Sequence, residues 1–138
     1  MPPGGIHKKD IIMRIFKTKL FSRRAKEIGL NDAALLKAIK EMLQGLYEAN
    51  LGGNIYKKRV SLGGRGKSGG ARMLVAFKML DKAIFLYGFP KNERGNINKK
   101  EEKALKILAN FFFNYSESQI DDAVKTGDLI EVYNEKIH

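Results

Sequence analysis

Apolar residues recur along this chain in two rhythms, one of period two and one near three and a half, and the switches between them outline the fold. Ile11 to Lys17 (IIMRIFK) is rich in β-branched and aromatic residues and predicts a strand. From Thr18 to Ile28, Leu20, Phe21, Ala25 and Ile28 fall at helical spacing, and Gly29 stops the helix. Asn31 or Asp32 caps a second helix, whose Leu35, Leu36, Ile39, Met42, Leu43 and Leu46 form one apolar stripe. Leu51-Gly52-Gly53-Asn54 ends the helical region and turns the chain. Ile55 to Leu62 predicts a polar strand. Its Tyr56, Val60 and Leu62 mark the core side, which leaves Lys57 and Arg59 on an open face and puts Lys58 awkwardly on the core side.

Residues 71–79 and 83–89 are apolar strands, joined by a hairpin turn at Leu80-Asp81-Lys82. After the polar segment Lys91 to Asn98, a helix from about Lys99 to Asn114 carries the stripe Ala104, Leu105, Ile107, Leu108, Phe111 and Phe112. The run Phe111-Phe112-Phe113 is wider than one stripe. A helix buried on two sides is the simpler account of it, and contact with a partner chain the sharper one. Ser116-Glu117-Ser118-Gln119 is a capping-box pattern opening a short helix that Gly127 ends, and Leu129 to Tyr133 forms a short edge strand or an extended tail. Strands in a consecutive run, apart from the helices, predict an α+β class with a mostly antiparallel sheet.

Composition narrows the function. The 138 residues suit one domain, expected over residues 13–138 and preceded by a flexible extension over residues 1–12 that lacks the apolar core of a signal peptide. Lys plus Arg number 26 against 15 for Asp plus Glu, and a net charge of +11 points to a polyanion. No cysteine is present, which removes thiolate catalysis and disulfides and fits a reducing cytoplasm. No apolar run approaches a membrane span, so no membrane partner is expected.

The cations cluster around Gly63-Gly64-Arg65-Gly66-Lys67-Ser68-Gly69-Gly70-Ala71-Arg72, with Lys57-Lys58-Arg59 before it and Lys91 and Arg94 after the next strands. Glycines allow close approach of backbone N–H groups, and the cations favour phosphate, so RNA is the first candidate ligand. Gly66-Lys67-Ser68 matches only the end of a P-loop: five residues earlier stands Ser61, and a strand follows where a P-loop opens a helix. An NTPase is excluded on that ground. His7 and His138 lie at the ends of the chain, so a two-histidine ribonuclease does not fit. Glu101-Glu102 and Asp121-Asp122 fall at helix starts, where they complement the helix dipole. No carboxylate set has two-metal spacing. RNA cleavage by this chain is therefore expected to need no metal and no cofactor. RNA carries its own 2′-OH nucleophile, a lysine crowded by cations can serve as base, and arginines stabilise charge on phosphorus.

The ordered set Tyr56-Lys57-Lys58-Arg59-Val60, Gly66-Lys67-Ser68-Gly69-Gly70-Ala71-Arg72 and Phe85-Leu86-Tyr87-Gly88-Phe89-Pro90-Lys91-Asn92-Glu93-Arg94 resembles the RelE/HigB-like toxins of bacterial type II toxin–antitoxin modules. The resemblance spans about residues 13–132. It implies a microbial-ribonuclease-like fold with two N-terminal helices packed on an antiparallel sheet. It implies metal-independent mRNA cleavage, commonly on the ribosome, and a cognate antitoxin with which the toxin assembles. Carried over by position, it puts Arg72, Lys57, Arg59 and Lys91 in catalysis and Arg94 at the RNA, to which the cationic loop adds Arg65 and Lys67 and the following strands Tyr87 as RNA-binding candidates. Asn92 and Asn98 depart from an arginine and a catalytic tyrosine that some members carry. Related toxins of this fold attack DNA gyrase, and a basic RNA-binding module without catalysis is a further alternative.

Overall fold

The computed structural model describes residues 13–62 and 70–133. In chain order these form β1 (Arg14–Thr18), α1 (Lys19–Ile28), α2 (Asp32–Leu43), β2 (Ala49–Gly52), β3 (Ile55–Val60), β4 (Ala71–Lys78), β5 (Lys82–Pro90), α3 (Lys99–Phe113), α4 (Glu117–Thr126) and β6 (Leu129–Val132). The strands make one sheet in the order β2-β3-β4-β5-β1-β6. Only the β1–β5 pair is parallel. The class is α+β, as the order of elements predicts.

Alternation along the strands divides the core in two. Ile15, Met73, Val75, Phe77, Ala83 and Phe85 face α1 and α2. Phe16, Leu74, Ala76, Ile84 and Leu86 face α3 and α4. Each helix begins at a side-chain cap: Thr18, Asn31, Asn98 and Ser116 each accept a hydrogen bond from a first-turn amide. Gly29 and Gly127 end α1 and α4 in the left-handed conformation that glycine adopts without a Cβ clash. Burying Phe21 of α1, stacked at 5.3 Å on Phe85, contributes roughly 2 kcal/mol. Lys58, the awkward residue of β3, reaches Glu41 of α2 at 2.7 Å, so its charge is matched inside the helix–sheet seam.

Three expectations are corrected. Residues 49–52 form an edge strand where the glycines had indicated only a turn; Ala49 and Asn50 pair with Lys57 and Tyr56. α2 stops at Leu43 because Gly45 turns left-handed, and Leu46 is left 53% exposed outside the stripe. The face of β3 that carries Lys57 and Arg59 is open at Arg59, as expected, but partly covered at Lys57. α3 packs over Ile55, Leu74 and Ala76, and the inward side of α3 is Ala109 and Phe112 with Leu105 and Leu108, while Ile107 and Phe111 point outward.

Candidate nucleic-acid interface

Cross-strand register builds the site in two rows. Arg59, Arg72 and Phe89 stand opposite one another on β3, β4 and β5, and Lys57, Leu74 and Tyr87 form the next row. A one-residue bulge in β5 aligns them. Leu74 pairs with Tyr87 but Val75 pairs with Phe85, so Leu86 is the extra residue. Without it, alternation would send Tyr87 and Phe89 to the α1 side. With it, they share the face of Arg72, and Gly88 turns toward α1. Gly88 is a close approach: a Cβ there would lie 3.1 Å from the Phe21 ring.

The Arg72 side chain is 17% exposed, not laid out on an open sheet as its place in the pattern suggests. Its Nη2 donates to Glu48 at 3.0 Å. Its Nε is buried and donates to nothing in the described structure. The Lys91–Asn98 segment passes beside it, and Gly95 is near enough that an added Cβ would lie 3.8 Å from Arg72 Nη1. Lys57 Nζ donates to Asn96 Oδ1 of that segment at 3.5 Å. Arg59 is exposed at the rim. The Lys91 backbone N–H donates to Gly70 at 2.8 Å, which ties the start of the segment to the strand that carries Arg72.

Ion pairs hold the segment on both sides of the sheet. Glu93 bonds Arg24 of α1. Arg94 makes a two-pronged bond to Glu101 of α3 at 2.9 and 2.6 Å, donates its Nε to the Asn96 carbonyl and lies 5.4 Å from the Phe89 ring. Hydrogen bonding to Glu101, then its charge and the Tyr87 phenol, raise the Arg94 pKa above its ordinary value. The same bonds, with the Asn98 amide, hold the Glu101 carboxyl below the usual carboxylate range.

Of the eight residues singled out in the sequence, the structure brings Lys57, Arg59, Arg72, Tyr87 and Arg94 to one end of the sheet, with Lys91 at its border. Arg65 and Lys67 lie outside the described residues. Arg94 does not stand free for phosphate: Glu101 occupies its planar edge. Glu48, Asn96 and Glu101 were missed. Asn98-Lys99-Lys100-Glu101 has capping-box spacing and was the one available signal, since Glu101 returns a bond to the Asn98 amide. Nothing local marks Glu48.

The structure is thus a small α+β protein with the cations Lys57, Arg59 and Arg72 gathered on two strands at one end of its sheet. The model of the RelE toxin of the RelE / RelB toxin-antitoxin system matches residues 13–132, and the chain belongs to that family. No curated protein matches it.

Proposed function

We propose that this toxin cleaves mRNA, with the Arg72 end of the sheet as the site, and that translating ribosomes are where it meets its substrate. The observation that carries the reading is Arg72 itself. Its guanidinium is held among strands and loop, its Nε is buried without a partner, and Lys57 and Arg59 stand beside it. A phosphodiester that displaced Glu48 from Arg72 would gain a planar guanidinium as donor, and Lys57 and Arg59 would spread the remaining charge. The 2′-OH of the substrate attacks its own phosphorus, and the 5′ oxygen departs. The products are a 2′,3′-cyclic phosphate and a 5′-OH. This chemistry draws on cations and on the RNA's own nucleophile, and the residues named supply the cations. Family membership supports a cognate antitoxin as the partner that silences the site. Residues 1–12 are, on this reading, outside the toxin domain, which begins where the family match begins.

The test is induced expression of the chain without an antitoxin, followed by primer-extension mapping of mRNA ends. Growth arrest with new 5′ ends inside reading frames is the expected result, together with cutting of mRNA by purified protein on ribosomes. Arrest without RNA ends, accompanied by inhibited DNA supercoiling, would replace the nuclease with a gyrase-directed toxin.

A further inference from the structure

The outward face of α3 carries apolar residues that the fold does not use. Lys100, Lys103, Ala104, Ile107 and Phe111 recur at steps of three, one, three and four, which puts them on one side of the helix, and all five are exposed. Ile107 is 64% exposed and Phe111 56%. The Phe111 ring lies 5.1 Å from that of Tyr115. Both border a cleft of about 380 Å³ where α3 meets α4, which Asp122, Ala123 and Asp128 help to complete. A contiguous apolar strip that runs into a cleft is the kind of surface that meets another protein.

Charge is graded along this strip. At the start of α3, neither Lys100 nor Lys103 has a carboxylate partner among the described residues. At the cleft, neither Asp122 nor Asp128 has a cationic one, although Asp128 accepts a hydrogen bond from the Thr126 hydroxyl. The charges around them are matched: Arg14 takes Glu117, Asp121 and Glu131, Arg94 takes Glu101, and Lys106 takes Glu102. The last turn of α3 also holds no basic residue to meet the negative end of the helix dipole. One end of the strip therefore lacks anions and the other lacks cations, with Ala104, Ile107 and Phe111 between them.

We propose that this face of α3 and the cleft beside it bind a second copy of the chain, about a two-fold axis that crosses α3 between Ile107 and Phe111. An isologous contact needs a surface complementary to itself, and a strip cationic at one end and anionic at the other has that property when the two copies run antiparallel. Each Phe111 then packs against Ile107 of the other copy. Each Lys100 and Lys103 lies toward the other copy's cleft, where Asp122, Asp128 and the end of α3 supply the missing negative charge. A net charge of +11 opposes self-association in general, and the match of lysine with aspartate at both ends offsets that opposition locally. The inference also accounts for the run Phe111-Phe112-Phe113: Phe112 serves the core and Phe111 the second copy. It does not depend on what the toxin cuts.

The experiment is sedimentation equilibrium of the full chain, together with three variants. Wild type is expected to reach the mass of two chains at about 100 µM and to dissociate on dilution, as suits an interface at the small end of the usual range. Phe111→Ser should weaken the dimer at least tenfold. Lys100→Glu with Lys103→Glu, and separately Asp122→Lys with Asp128→Lys, should each leave single chains, because like charges then face each other across the axis. An equimolar mixture of these two charge variants should recover the dimer to within threefold of wild type, since both ends are again matched. All the changed residues are exposed, so melting temperatures should stay within a few degrees. Should Phe111→Ser fail to fold, the charge variants and their mixture still decide the matter. Monomeric wild type, dimers unaffected by the charge variants, or a mixture of folded charge variants that stays monomeric would each overturn the proposal. Monomeric wild type whose α3 face is protected from hydrogen exchange by the cognate antitoxin would give the surface to the antitoxin instead. RNA cleavage is not the readout, so failure of the nuclease reading would leave this interface standing.

Discussion

Glu48 lies 3.0 Å from the Arg72 guanidinium, so the cation that best suits a phosphate already holds an anion. The two side chains are 17% and 25% exposed, between the surface and the buried case. Replacing Arg72 by Ala should cost about 1–2 kcal/mol of stability on that footing, in a protein that still folds. Urea unfolding measures the cost, and RNA cleavage by the folded variant should be abolished. Arg72→Lys should keep more binding than cleavage, because an ammonium offers no planar fork. A fully active Arg72→Ala would move the site elsewhere.

Glu48→Gln removes the competing charge and keeps the side chain's size. Affinity for a short RNA should rise a few-fold, read by anisotropy at fixed salt. Unchanged or weaker binding would mean that phosphate and Glu48 do not share Arg72.

Lys57→Ala and Lys91→Ala should each weaken RNA binding and flatten its salt dependence by about 0.7 units per lost phosphate contact on a single strand. Plots of log affinity against log salt give the slopes. Slopes identical to wild type would take both residues off the RNA.

The Arg94–Glu101 pair should make stability depend on pH in one direction. The Glu101 carboxyl is held below its ordinary range, first by Arg94 and then by the Asn98 amide. Its contribution is therefore complete above about pH 4.3, the unfolded value, and is lost as pH falls through the lower folded value. The stability gap between wild type and Glu101→Gln should be constant near neutrality and close below about pH 4. A gap that widens with acid would reverse the assignment. Asn98→Ala should cost about 1 kcal/mol through loss of the α3 cap. Asn98 therefore has a structural duty at the start of α3.

Gly88→Ala should destabilise by about 1–3 kcal/mol, since the new Cβ meets the buried Phe21 ring at 3.1 Å. Thermal melts would show it. A neutral substitution would mean that α1 can retreat from β5 without loss.

Local chemistry was legible in the sequence, and long-range pairing was not. Asn31, Ser116, Gly29 and Gly127 announce their helix ends because a cap acts within one turn. Arg72 and Lys57 share a face because strand alternation is fixed by pleat. The bulge at Leu86 is invisible in a run of apolar residues, yet it decides which face Tyr87 takes. Glu48 reaches Arg72 across 24 positions, and no spacing rule links them. The outward turn of Ile107 and Phe111 was hidden for another reason: six apolar residues are more than one buried stripe of α3 can use. β2 was missed because two glycines outweigh the faint strand signal of Ala49 and Asn50.

The sheet order has a consequence for how the protein is made. β1, the first of the described strands, takes its place between β5 and β6, the last two of them. During synthesis its hydrogen-bonding edges therefore wait until residues 82–90 and 129–132 have emerged. Arg72 and Lys57 are joined early by the β3–β4 hairpin, but the layer that backs them closes only with the final strand. A toxin with this topology completes its sheet only once β6 has been made.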